Sequence, residues 1–114
     1  MTAAGLSILP GTVEFLSLGA LGRAGRMHGF EILRWIEERS EGDLLVEEGA
    51  LYPALHRLEK RGWIRGEWGV SEKGRRAKYY EVTARGRAGL DDARTQWQRY
   101  VTAVAKVVPG RSTA

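Results

Sequence analysis

The sequence predicts a mainly α, α+β fold: a winged helix-turn-helix of three helices plus a two-stranded β-hairpin wing, with a long C-terminal helix. Three observations carry this. Apolar residues recur at helical spacing in three consecutive segments. Two aromatic-rich, strand-like segments then flank a polar, glycine-containing stretch. Helical spacing returns from Thr83 to Val108. A chain of 114 residues builds one modest core without staples, and the absence of cysteine rules out disulfides and thiolate metal sites.

The first helix is expected from Pro10 to Ala24, with Val13, Leu16, Ala20 and Leu21 inward and Gly25 suited to a left-handed cap. Residues 1–9 are expected to be flexible. The second runs from His28 to Arg39, with Ile32, Leu33 and Ile36 inside and Glu31, Glu37 and Glu38 facing water; Ser40-Glu41-Gly42-Asp43 stops it. The third runs from Gly49 to Arg61 on Leu51, Ala54, Leu55 and Leu58, and Gly62 ends it. Pro53 reads as a first-turn residue, where a missing N–H costs little. Strands are expected at Trp63–Trp68 and Ala77–Val82, around a long tip from Gly69 to Arg76. Thr83 suits the N-cap of the last helix. The expected division is therefore a winged unit at 10–83, a C-terminal helix at 84–108 and a disordered tail at 109–114.

Charge narrows the function. The chain carries a net +4 with a pI near 9.8. Residues 31–48 hold seven acids and two bases, whereas residues 57–87 hold ten bases and four acids. One basic block on a balanced chain points to an anion-facing surface, with nucleic acid as the leading partner and a solvated basic face as the alternative. Two histidines, His28 and His56, are too few for a metal site, so no metal or cofactor is expected. There is no glycine-rich phosphate loop, and no Ser, His and acid suggest a triad, so the chain does not read as an enzyme. No run approaches the roughly 18 apolar residues of a membrane span, and no basic segment leads into a secretory core. No membrane partner is expected, and the cytoplasm is the expected compartment.

At 100° per residue, the inner stripe of the third helix leaves Gly49, Pro53, His56 and Lys60 outward, flanked by Tyr52 and Arg57. A helix fits the major groove of duplex DNA, so Tyr52, Pro53, His56, Arg57 and Lys60 are the candidate base and phosphate contacts. Each taken singly also reads as an ordinary surface residue. The wing adds Lys73, Arg75, Arg76 and Lys78, cations that repel one another and help no core, and that phosphate contact would explain.

The segment Gly49-Ala50-Leu51-Tyr52-Pro53-Ala54-Leu55-His56-Arg57-Leu58-Glu59-Lys60-Arg61-Gly62 resembles the recognition-helix signature of the PadR family of bacterial transcriptional regulators. Gly74-Arg75-Arg76-Ala77-Lys78-Tyr79-Tyr80, Val82-Thr83, Gly86, His28-Gly29-Phe30-Glu31-Ile32 and Gly11-Thr12 are similar to it as well. The similarity covers residues 10–100. Ala50 departs from the pattern, where the family usually has a hydroxyl residue. The resemblance implies a dimeric winged-helix repressor that responds to a small-molecule effector.

In the last helix, Leu90, Ala93, Trp97, Tyr100, Val104 and Val107 form a heptad-like seam. About 25 helical residues extend roughly 37 Å, longer than the body they leave, so a second copy is the expected partner and the protein a homodimer. Packing on the chain's own first helix is the alternative. Trp97 is the unusual seam member: near a two-fold axis it would flank a slot for a planar aromatic effector, with simple core packing as the other reading. The expected function is sequence-specific binding of a pseudo-palindromic duplex operator. A DNA-coating or RNA-binding protein without an effector is the main alternative, and a protein-interaction module on the same fold a third.

Overall fold

The computed structural model describes residues 11–110. The expected flexible segment 1–9, the predicted start at Pro10 and residues 111–114 of the expected tail lie outside the described residues. The chain forms α1 (Thr12–Ala24), β1 (Met27–His28), α2 (Gly29–Arg39), α3 (Glu48–Lys60), β2 (Ile64–Val70), β3 (Arg76–Val82) and α4 (Ala84–Val107).

Strands β2 and β3 form the expected hairpin wing, and β1 adds a third, antiparallel strand in the order β1-β3-β2. Met27 and His28 pair with Tyr80 and Tyr79. A strand of two residues shows no alternation in sequence, and His28 also begins α2, which hid it. The His28 Nδ1 accepts the Glu31 backbone N–H at 3.3 Å, while the Glu31 carboxylate accepts the His28 backbone N–H at 3.0 Å. This reciprocal cap satisfies two N-terminal donors of α2.

The inward stripes meet in one core: Val13, Leu18, Ala20 and Leu21 from α1, Ile32 and Ile36 from α2, Leu51, Ala54, Leu55 and Leu58 from α3, and Ile64 and Tyr80 from the sheet. Leu18 joins this core fully buried, while the expected Leu16 is only partly buried against it. The reason is that α1 packs against α2, α3, α4 and β3 together, so it buries a wider arc than one stripe. Gly25 does take positive φ, but with ψ of −157° rather than a left-handed helical value.

Two further boundaries differ from expectation. Helix α3 starts at Glu48, so Pro53 lies in its second turn, not its first. The Gly49 carbonyl loses its helical donor there, and its exposure lets water replace the bond. At the other end the Gly62 N–H donates to the Glu59 carbonyl and the Trp63 N–H to that of Leu58, with Gly62 at φ 79°. This paired closure turns the chain sharply into β2. The strands also run further than expected, leaving a tip of only Ser71 to Arg75 and placing Arg76 within β3. Cross-strand pairing extends a hairpin wherever the turn permits it, whatever the polarity of the residues.

Leu90 was expected in a dimer seam, but it is 7% exposed and belongs to the protomer's own core. The first turns of α4 dock on the body through a tight junction. The Thr83 hydroxyl caps α4 by accepting the Gly86 N–H at 3.0 Å, and lies 2.7 Å and 3.1 Å from the Gly62 and Trp63 carbonyls to which it donates. The Thr83 N–H donates to the Trp63 carbonyl at 3.0 Å. A Cβ on Gly86 would overlap that same carbonyl, and one on Gly89 would come 2.6 Å from the Trp63 ring. Gly86→Ala should therefore lower unfolding stability by about 1–3 kcal/mol, the usual cost of overpacking. Urea unfolding checks this; an unchanged midpoint would mean the junction is loose.

Candidate nucleic-acid interface

The outer surface of α3 is set by the burial of Leu51, Ala54, Leu55 and Leu58, which turns Pro53, His56 and Lys60 to water. Neither His56 nor Lys60 has a hydrogen bond or ion pair among the described residues. Their polar groups are thus available to a partner. Helix α3 has 13 residues, about 20 Å, and presents this row along its length.

Tyr52 plays a double part. It is 46% exposed, yet a Cβ on Gly29 would lie 2.6 Å from its ring, so the ring covers the start of α2. It braces the angle between α2 and α3. Burial, with the Glu48 carboxylate nearby, pushes its hydroxyl above the ordinary phenol range, so it remains a hydrogen-bond donor. Glu48, drawn into α3 by its earlier start, places a carboxylate in the first turn at the flank of this surface.

Two expected contacts are engaged inside the protein. Arg57 donates through Nε and Nη2 to the two Glu14 carboxylate oxygens, each at 3.2 Å, tying α3 to α1. Lys78 donates to Glu59 at 2.9 Å, tying β3 to α3, and its hydrogen bond with Glu59 raises the Lys78 pKa. Glu14 and Glu59 neutralise cations that the sequence leaves open; partners 43 and 19 residues apart have no local signature.

On the wing, Lys73 and Arg75 are exposed at the tip beside Glu72. The Gly74 N–H donates to the Ser71 carbonyl, and the Ser71 N–H to that of Arg75, at 2.9 Å and 2.7 Å. Arg76 leaves the tip and stacks its guanidinium 4.4 Å from the Trp68 ring centre. The structure therefore brings Pro53, His56 and Lys60 together on one open face, and holds Lys73, Arg75 and Arg76 on a projecting hairpin beside it.

The far half of α4 leaves the body. Trp97, Tyr100, Val101, Val104 and Val107 are exposed along it, Val107 by 81%, whereas Ala93 is partly buried. Trp97 packs between Phe15 of α1, at 6.2 Å between ring centres, and Tyr100, at 6.3 Å and nearly parallel. An open groove of about 940 Å³ runs between the start of α1 and this part of α4, lined by Phe15, Ala93, Trp97 and Tyr100 among others. Among the described residues no group of His, Cys, Asp and Glu is placed to hold a metal ion, and no helix is long and apolar enough to cross a membrane.

A sequence profile described as the transcriptional regulator PadR-like family matches residues 18–92. The chain is 33% identical over 70 residues to an uncharacterized protein X of Lysinibacillus sphaericus, matching 61% of this chain and 64% of that protein. It is 41% identical over 61 residues to the transcriptional regulator Rv3488 of Mycobacterium tuberculosis, matching 53% of this chain and 56% of that protein. The chain thus spans less than two thirds of the length of either. The solved structure of a transcriptional regulator from Clostridium thermocellum superposes with a TM-score of 0.76 at 29% identity, covering 84% of this chain and 92% of that one.

The Glu14–Arg57 pair predicts a pH effect. The hydrogen bond from Arg57 holds the Glu14 carboxyl below its ordinary value, with burial opposing. The pair therefore contributes stability that is complete above the ordinary Glu range, ~pH 4.3, and is lost as pH falls through the lowered folded value. Glu14→Gln should show a smaller loss of unfolding stability than the parent between about pH 6 and about pH 3. It should also bind duplex DNA more tightly at low salt, because Arg57 is released. Identical acid profiles, or unchanged duplex affinity, would show the pair to be idle.

Proposed function

The chain belongs to the transcriptional regulator PadR-like family, and from that premise we propose that it is a homodimeric repressor that binds a pseudo-palindromic DNA operator. Its family consists of transcriptional regulators, not enzymes. The observation that carries the reading is the open row of Pro53, His56 and Lys60 on a groove-sized helix, next to the wing cations Lys73, Arg75 and Arg76. His56 and Tyr52 serve as donors to base edges in the major groove, Lys60 and the wing cations as phosphate contacts. Glu14 holds Arg57 back from the duplex, and Lys78 acts indirectly, by fixing the wing against α3.

Protection mapping on the DNA upstream of its own gene, with binding titrations, tests this. A specific regulator should prefer its site to random duplex by about 10³-fold or more. His56→Ala should relax base preference while keeping the fold. Tyr52→Phe is the matching change at the second donor, because it removes the hydroxyl and keeps the ring that braces Gly29. Selectivity that survives both changes refutes base reading by α3.

Dimerisation through α4 follows from its bare stripe. Nothing among the described residues buries Tyr100, Val104 and Val107, and two half-sites about 34 Å apart require two linked recognition helices. A planar aromatic effector is proposed for the groove beside Trp97, where the Phe15 and Tyr100 rings already favour stacking. Binding there would change the angle between the two α3 helices and so shift operator affinity, with the reciprocal effect on ligand affinity. Val104→Glu should yield a monomer by sedimentation and weaken operator binding. Trp97→Ala should abolish release of operator by planar aromatic compounds. A parent chain that sediments as a monomer at micromolar concentration, or release that persists without Trp97, overturns the respective part.

A further inference from the structure

The two faces of the wing differ in a way that the sequence alone does not show. The strand register pairs Ile64 with Val82, Gly66 with Tyr80, Trp68 with Lys78 and Val70 with Arg76, which places these residues on one face of the sheet. Ile64 and Tyr80 on that face are buried in the core, and Lys78 reaches Glu59 of α3. This is therefore the side of the wing that faces the recognition helix. Beyond Lys78 it runs clear of the body: Trp68 is 56% exposed and Val70 71%.

The opposite face is closed by its own contacts. Arg65 pairs with Glu81, Arg26 pairs with Glu67, and Tyr79 is covered by the Arg26 guanidinium at 4.5 Å and packs edge-to-face with His28 at 5.3 Å between ring centres. On the α3 side the last residues are instead an aromatic ring, a valine and Arg76, which has no ion pair among the described residues. A large aromatic left more than half exposed contributes little to its own fold. What it does do is hold Arg76. The ring face fixes the guanidinium by a cation–π contact, worth about 0.5–1 kcal/mol at an exposed site and more once water is excluded.

We propose that Trp68 is a positioning residue for DNA: its ring holds Arg76 on the α3 side of the wing, where the guanidinium meets the phosphate edge of the minor groove. The proposal rests on the operator-binding reading above. A guanidinium already held in its binding geometry loses less rotamer freedom on contact. The surrounding cations Lys60, Lys73 and Arg75 select a polyanion over a neutral or basic partner.

The test uses the full chain and a fluorescent duplex carrying its upstream site, with a random duplex alongside, titrated over a salt series. Trp68→Ala should weaken binding to both duplexes by about fivefold to tenfold. It should also flatten the salt dependence by about one unit, although no charge is removed, because the Arg76 contact is lost with it. Arg76→Ala should do the same, and the double variant should be no weaker than Arg76→Ala alone. Trp68→Phe, which keeps a ring for the guanidinium, should recover most of the affinity. A Trp68→Ala protein with parental affinity and salt slope overturns the proposal while leaving operator binding intact. So does a double variant whose losses add. A parent chain that binds neither duplex removes the operator reading as well.

Discussion

The join between the end of α3 and the start of α4 is the constraint on which the remaining geometry depends. Gly62 closes α3 and turns the chain so that the Trp63 carbonyl meets Thr83, and Thr83 in turn caps α4. Gly86 and Gly89 give α4 its closeness to Trp63, since any side chain at either position would collide with it. The recognition helix and the helix that leaves the body are thereby bonded end to start through one threonine. Their relative direction is not set by a flexible linker. The start of α4 and the end of α3 are therefore held in one fixed relative direction.

A second constraint concerns which charges remain available. The chain is rich in arginine and lysine, but its folded form neutralises several of them internally. Arg57 is held by Glu14, Lys78 by Glu59, Arg26 by Glu67 and Arg65 by Glu81. The exposed ones among them, Arg26–Glu67 and Arg65–Glu81, contribute little to stability. The larger effect of the four pairs is on placement, since they brace α3 and the wing and leave Lys60, Lys73, Arg75 and Arg76 without an ion pair among the described residues. The +4 net charge understates this asymmetry.

Much of the fold was legible because its signals are local. The stripe Leu51, Ala54, Leu55 and Leu58, the Gly62 stop, the Thr83 cap and the end of α4 near Val108 each follow from spacing or backbone chemistry within a few residues. The misses have physical causes of the opposite kind. β1 is too short to have a period, and Leu90 lies on the seam of α4 but is claimed by the body beside Gly22. The tip of the wing shortened because strand pairing overrode its polar composition.

The same division applies to function. The sequence by itself determined the order of elements, the basic hairpin, the outward row of α3 and the family resemblance, since residue type and helical or strand period carry these. Only the tertiary structure decided which cations are open and which are paired, that Tyr52 braces α2, and that Trp68 and Arg76 stack on the α3 side of the wing. The ion pairs and the Tyr52 contact join residues far apart in the chain, and the Trp68–Arg76 stack depends on the strand register of the hairpin. Side chains so separated choose partners only when the core has fixed the backbone, because the energy of a single pair is too small to dictate the fold that brings it together.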